Sequence, residues 1–251
     1  MLYLTFKKFA SNFILKLFER MVVYLIAEIG VNWNGGIDLV KKMIFEAKNA
    51  GCNAVKFQSF SAEQVKDHPL KERLLKSSIN PKIIKNIFEI TKEAKIDFIC
   101  TPMYAESVEF LNEYILKFKI REFDGRKIII NQHSDILEKV LNTGKEIIIS
   151  SEQSPENCNY YNYPNISWLY CVPKYPCTLD EIDFTRLEKF DGFSNHCPDI
   201  QAPIKAAKLG AKIIEVHITP DKKGDFIDNN VSFDYEELRS IIFEIKNCIN
   251  N

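Results

Sequence analysis

The chain lacks any C-x-x-C pair. Its seven cysteines, Cys52, Cys100, Cys158, Cys171, Cys177, Cys197 and Cys248, are odd in number and irregularly spaced. That pattern argues against a disulfide framework and for a reducing compartment, so a cytoplasmic location is expected. Most of these thiols lie in apolar runs and read as buried small hydrophobes. A basic stripe is also missing, and the formal net charge is only −1. Non-specific nucleic-acid binding is therefore not expected, although a local basic pocket for an acidic small molecule would not show in the net charge. No apolar run is long enough to span a bilayer, and no small-residue cleavage site follows the first segment. No G-x-G-x-x-G opens the first helix, and no linker or low-complexity tract marks a second domain.

What is present begins with an unusual start. Leu2, Phe6, Phe9, Phe13 and Leu17 follow helical spacing, with Lys7, Lys8, Lys16 and Arg20 between them. Residues 1–20 read as an amphipathic extension. Three readings stay open: a helix packed on the domain, an upstream start with Met21 as the true one, or a membrane-surface helix. The first two are favoured.

From Met21 a strand-plus-helix unit recurs through 251 residues that are 46% apolar and 27% charged. Strands are expected at 22–30, 54–58, 97–101, 118–120, 146–150, 167–172, 192–196 and 213–217. Helices are expected at 38–50, 81–95, 106–116, 135–142, 179–189, 198–210 and 235–249. Residues 61–80 read as a long polar connection, 121–134 as a variable region and 155–165 as loop. Eight β/α units predict a single-domain (β/α)8 TIM barrel over 21–251, since such barrels take about 250 residues. A doubly wound open sheet is the competitor.

The strand ends are too polar for buried parallel strands, which normally read as continuous apolar runs. Glu28 sits on the first strand, with Asn32 and Asn34 in its loop. Lys56 and Gln58 lie two apart, hence on one face, of the second. Thr101 ends the third, Lys119 and Arg121 follow on the fourth, and Ser150 and Ser151 end the fifth. Lys174 and Tyr175 follow the sixth. Ser194 and His196 pair on the seventh, Glu215 and His217 on the eighth. Parallel strands joined by a helix finish on one edge, so the two imidazoles face one mouth. Each alone is most often a hydrogen-bonded strand-end residue. Together with lysines across the mouth they point to a metal-assisted enzyme acting on a phosphorylated or carboxylated small molecule. Cys197, beside His196, is a weak further candidate, because adjacent strand residues point to opposite faces.

Six motifs carry a more specific message: AEIGVNWNG (27–35), AGCNAVKFQSF (50–60), FICTPMYAESVEFL (98–111), KYP (174–176), GFSNHCPD (192–199) and GAKIIEVHIT (210–219). In this order they resemble the sialic acid synthase family, which condenses phosphoenolpyruvate with N-acetylmannosamine or a related amino sugar. The resemblance implies that His196 and His217 hold a divalent metal, usually Mn2+, with Mg2+ or Co2+ as alternatives. It implies that Lys56 and Lys119 bind phosphoenolpyruvate, and that Thr101, Ser150 and Ser194 contact its phosphate or carboxylate. Glu28 and Glu215 match active-site glutamates. Gln58, Tyr175 and Asp228 match contacts to the sugar. The family also implies a homodimer. The expected product is a nonulosonic or other 2-keto-3-deoxy sugar acid; the alternative is a catalytically weak sugar- or phosphoenolpyruvate-binding paralogue.

Several positions depart from the family pattern. NHNG reads Asn32-Trp33-Asn34-Gly35, and SDH reads Ser194-Asn195-His196, which is expected to remove a charge beside the metal. The small, acidic segment after Lys119 reads Arg121-Glu122-Phe123-Asp124. STGM reads Ser150-Ser151-Glu152-Gln153, and Pro173 replaces a polar residue. The resemblance spans the barrel, and the family's C-terminal antifreeze-like domain has no counterpart before Asn251.

Overall fold

A computed structural model describes residues 23–250; the 1–20 extension lies outside the described residues. Eight parallel strands close into a barrel in sequence order, with β1 paired to both β2 and β8. They are β1 (Tyr24–Gly30), β2 (Ala54–Ser59), β3 (Asp97–Pro102), β4 (Lys117–Ile120), β5 (Glu146–Ser151), β6 (Ile166–Tyr170), β7 (Gly192–Asn195) and β8 (Ile213–His217). The closed sheet settles the barrel against the open-sheet alternative.

Each strand alternates its side chains between two cores. Outward residues such as Ala27, Ile29, Val55, Phe57 and Phe118 join the helices in the larger core. Inward residues Ile26, Ala54, Ile99, Ile148 and Leu169 form a separate apolar layer inside the barrel. Two residues further along the same strands stand Glu28, Lys56, Thr101, Ser150 and Cys171, all buried. One pleat period thus separates a dry plug from a polar layer, at the strand C-terminal ends where barrel active sites lie.

The covering helices are α1 (Ile37–Ala50), α2 (Lys71–Lys76), α3 (Ile84–Ala94), α4 (Ser107–Leu111), α5 (Glu122–Ile129), α6 (Asp135–Leu141), α7 (Gln201–Lys208) and α8 (Tyr235–Asn250). In α1 the stripe Val40, Met43, Ile44 and Ala47 is buried as its spacing requires, and the helix ends at Gly51. Two helices were not legible. α2 lies in the expected polar connection, where only Leu74 is buried. α5 replaces the expected variable region. Its acidic first turn, Glu122 and Asp124, and basic last turn, Arg126 and Lys127, suit the helix dipole, but its short apolar stripe gives a weak period. The expected helix at 106–116 shrinks to α4. The one at 179–189 breaks into 3-10 turns at Leu179–Glu181 and Phe184–Lys189, because the Asp183 side chain accepts the Thr185 N–H and restarts the chain. No helix among the described residues is long and apolar enough to cross a membrane.

α5 matters for the mouth because it presses directly on β5. A Cβ built on Gly125 would lie 2.0 Å from the Ser150 carbonyl oxygen. Alanine in a helix is intrinsically better than glycine by about 1 kcal/mol, but overpacking costs roughly 1–3 kcal/mol. The clash is with backbone and therefore wins. Gly125→Ala is expected to lower the melting temperature and to displace Ser150; a melting temperature at or above wild type would refute this close packing.

Candidate active site

The inward polar layer forms the floor of a cavity of about 290 Å3. Strand register sets its order: Glu28 of β1 lies level with Lys56 of β2 and His217 of β8, and Ser194 of β7 is level with Glu215 of β8. Lys56 Nζ stands 2.9 Å from Glu28 Oε2 and 3.5 Å from Glu215 Oε1, while Lys119 Nζ is 3.9 Å from Glu215 Oε2. Each charge also has a neutral partner. Gln58 Nε2 donates to Glu28 Oε1 at 2.6 Å, and Ser194 Oγ donates to Glu215 Oε1 at 3.0 Å. Lys119 donates to Ser150 Oγ at 2.6 Å and Lys56 to Thr101 Oγ1 at 3.3 Å. One oxygen of each carboxylate, Glu28 Oε2 and Glu215 Oε2, makes no well-angled hydrogen bond. Buried charges left incompletely satisfied are costly, so the floor is set up to take a polar ligand.

The two carboxyls differ in proton affinity. Burial raises that of Glu28, and the Lys56 and His217 charges only partly offset this, while Glu215 adds to the rise. Burial also opposes ionisation of Glu215, but Lys119 and Lys56 outweigh it and hold its carboxyl below the usual range. Lys119 is lowered by burial, whereas Lys56, between both glutamates, is raised. Two carboxyls whose surroundings push their proton affinities apart are candidates for an acid–base pair.

Opposite the lysines stand the imidazoles, with ring centroids 5.5 Å apart. His196 lies one residue past the end of β7, where it was expected as the last residue of that strand. Its Nδ1 donates to the Val172 carbonyl at 3.0 Å. His217 Nδ1 lies 3.4 Å from Asp228 Oδ2. The outer partner on His196 Nδ1 leaves its Nε2 as the ligating nitrogen, the usual arrangement around a metal-binding histidine, whereas both His217 nitrogens lie within hydrogen-bond distance of the Tyr175 hydroxyl, at 3.0 and 2.7 Å, which a cation would displace. The donor set therefore fits a divalent cation. The Tyr175 hydroxyl, 2.7 Å from His217 Nε2, covers the pair, and its ring packs edge-on against both imidazoles. Asp228 stands behind His217 and does not line the cavity. β1 makes room for it: the strand bulges between Glu28 and Gly30, and Gly30 has φ +52°. A Cβ there would lie 3.1 Å from Glu28 Oε1 and 3.3 Å from Asp228 Oδ2.

Comparison with known proteins identifies the family. The NeuB family model matches residues 43–251. The chain belongs to the NeuB family. N,N'-diacetyllegionaminic acid synthase of Campylobacter jejuni is 31% identical over 256 residues, covering 88% of this chain and 75% of its own. N-acetylneuraminate-9-phosphate synthase of Drosophila melanogaster is 29% identical, covering 90% and 68%. The crystal structure of N-acetylneuraminic acid (sialic acid) synthetase from Leptospira borgpetersenii serovar Hardjo-bovis, in complex with citrate, matches with TM-score 0.80 at 26% identity. It covers 91% of this chain and 84% of that one. This NeuB-family chain is an enzyme, a phosphoenolpyruvate-condensing synthase.

Its departures from the family pattern fall in distinct places. Trp33 is in the outer core, its Nε1 donating to the Ser77 carbonyl at 3.0 Å. Asn32 braces the site from behind: Oδ1 accepts the Asp228 N–H at 2.9 Å and Nδ2 donates to the Ile218 carbonyl at 2.9 Å. Asn34 is instead a loop residue, its amide reaching the Asp225 carbonyl at 3.3 Å. Asn195 takes a backbone role: its side chain bonds the Cys197 backbone twice, donating at 2.7 Å and accepting at 3.2 Å. An aspartate could not make the first bond. Cys197 is buried in the outer core, and Cys171 is the thiol that lines the cavity. Burial pushes the Cys171 thiol up to about 12, so it is neutral. Its inward position, two residues after Leu169, was the available signal. Lys174 pairs with Glu181 at the surface, and Ser151 Oγ caps the Gln153 N–H. Arg121 reaches the cavity rim, joined by Glu122, Phe123, Arg126, Met103 and Pro173, none of which the strand pattern selected.

The imidazole pair makes the fold acid-sensitive. Burial and the neighbouring His217 push His196 down to about 3, from an ordinary value of 6.5. The unfolded chain takes up a proton near 6.5 that the folded chain refuses, so stability is lost as pH falls from 6.5 towards 3. Thermal melts of metal-free protein between pH 7 and pH 5, both about His titration, are expected to fall more steeply for wild type than for His196→Gln. Parallel melting curves for the two proteins would contradict a neutral buried imidazole.

Proposed function

We propose that this chain joins phosphoenolpyruvate to the open-chain aldehyde of an amino sugar or related aldose, giving a nonulosonic or other 2-keto-3-deoxy sugar acid and free phosphate. One observation carries the reading: two buried lysines interleaved with two buried glutamates face two imidazoles across a single cavity. Lys56 and Lys119 supply fixed positive charge for a substrate bearing carboxylate and phosphate, and the hydroxyls of Thr101, Ser150 and Ser194 supply directed hydrogen bonds. His196 and His217 are the ligands for a divalent cation, for which Mn2+ is the first choice; when bound it would polarise the aldehyde oxygen.

The remaining steps fall to the chain's own groups. The lysines hold the enol carbon of phosphoenolpyruvate towards the aldehyde carbon. A carbon–carbon bond forms between them, and the aldehyde oxygen takes a proton. Glu28, whose carboxyl keeps its proton more readily, is the group placed to deliver it. Positive charge develops at the former enol carbon, where ionised Glu215 stabilises it and orients water. Water adds there and returns one proton to the Glu28 carboxylate; the carbon–oxygen bond to phosphate then breaks, the hydroxyl proton leaving with the phosphate, to give the 2-keto acid. Gln58 holds Glu28 in place, and Tyr175 at the mouth is positioned to meet the sugar.

Phosphate release with Mn2+ and phosphoenolpyruvate, measured across amino sugars and simple aldoses, is expected with at least one acceptor. Binding of metal and phosphoenolpyruvate without turnover on any aldehyde would sink the synthase reading. His217→Ala is expected to abolish Mn2+ binding, followed by titration calorimetry, while the circular dichroism spectrum stays that of wild type. Unchanged Mn2+ affinity would remove the assigned metal role.

A further inference from the structure

The segment after β4 departs from the family pattern and builds something at the cavity mouth. Arg121 stands two residues beyond Lys119, about 7 Å further along the strand direction. It follows the last residue of β4, Ile120, directly. Arg126 enters from α5, and both arginines line the same cavity as the floor lysines. They differ from the lysines in exposure: the side chains of Lys56 and Lys119 are 5% and 3% exposed, those of Arg121 and Arg126 39% and 48%. The cavity therefore holds cationic side chains at two levels, each paired with carboxylates.

The rim level is organised. Arg121 Nε donates to Asp124 Oδ2 at 2.8 Å, and Arg126 Nε donates to both oxygens of Glu122 at 3.1 Å. Arg126 Nη2 also binds Glu122. Both Nη groups of Arg121, and Nη1 of Arg126, make no hydrogen bond among the described residues. Phe123, half exposed, lies between them, 4.9 Å from the Arg121 guanidinium carbon and 5.7 Å from that of Arg126. Carboxylates that grip one edge of a guanidinium, with an aromatic face beneath it, fix its orientation and lower the entropy lost when the free edge binds a planar or tetrahedral oxyanion.

We propose that Arg121 and Arg126 form a rim subsite for an anionic group, phosphate in the first instance, at the end of the acceptor aldehyde remote from its carbonyl. The inference rests on the synthase reading and adds the class of acceptor: a phosphorylated aldose rather than a neutral one. The floor already supplies two lysines and three hydroxyls for the anionic groups of phosphoenolpyruvate. A sugar whose carbonyl lies between that floor and the imidazoles extends outwards, and its far end reaches the level of the arginines.

The test compares N-acetylmannosamine and arabinose with their terminal phosphates as acceptors for the Mn2+-loaded enzyme, in wild type, Arg121→Gln and Arg126→Gln. The phosphorylated acceptors are expected to be preferred in kcat/KM by about tenfold or more, and each variant to cut that ratio by about tenfold, mainly through the acceptor KM. Arg126→Lys is expected to recover only part of it, since a point charge replaces a fork. Equal use of neutral and phosphorylated acceptors by wild type would overturn the proposal. So would variants that weaken phosphoenolpyruvate binding in calorimetry while leaving the ratio unchanged, for the arginines would then serve the co-substrate's phosphate. Absence of turnover with every acceptor would instead count against the synthase reading. Calorimetry of the phosphorylated aldoses on phosphoenolpyruvate-loaded protein then decides the rim separately: binding lost in Arg126→Gln supports it, and binding absent or unaffected refutes it.

Discussion

Mutual neutralisation of buried charge governs this structure. An isolated ammonium or carboxylate inside a barrel would be too costly to keep ionised. Lys56, held between Glu28 and Glu215, and Lys119, beside Glu215, solve that for one another at separations of 2.9 to 3.9 Å. The set is balanced in charge but not in bonding, because one oxygen on each glutamate remains without a well-angled partner. A floor of this kind is stable enough to exist and still gains from a ligand. It also makes the two glutamates differ in proton affinity, burial raising that of Glu28 while Lys119 and Lys56 lower that of Glu215, which is the asymmetry that acid–base chemistry needs.

The remainder of the site is held in place from outside. Val172 orients one imidazole through a carbonyl, and Asp228 approaches the other through a carboxylate. Asn32 fixes the Asp228 backbone, and Asn195 closes the turn that carries His196. Gly125 and Gly30 act by absence: α5 can press on β5, and the β1 bulge can admit Asp228, only where no Cβ intervenes. These positions support a site they do not line. Their replacement would read as loss of function or of stability according to which contact fails first.

Much of this was legible in the chain. The eight-strand rhythm, the inward polar residues two apart at 56 and 58, 194 and 196, and 215 and 217, and the two histidines all follow from period-two alternation on parallel strands. α2 and α5 were not legible, because short helices with few buried apolar residues carry almost no period. Phe123 and Arg126 reach the cavity from α5, so they were lost with it. Asn195 was legible only in part: the sequence shows an amide where the family has a carboxylate, but not that this amide bonds the Cys197 backbone.

By itself the sequence determined which residue types stand at the strand ends and on which face of its strand each one lies, since those depend only on local order and pleat. It determined the family through motifs whose spacing is likewise local. Tertiary structure alone decided the register that sets Glu28 between Lys56 and His217, and the approach of Lys56 to a second carboxylate on β8. It alone brought α5 to the mouth, with Arg126 beside the Arg121 that the strand pattern had already placed there. These are relations between residues far apart in the chain, and barrel closure is what fixes them: with β1 hydrogen-bonded to β8, the stagger of every strand is shared around the ring, and each inward side chain meets neighbours that no local pattern encodes.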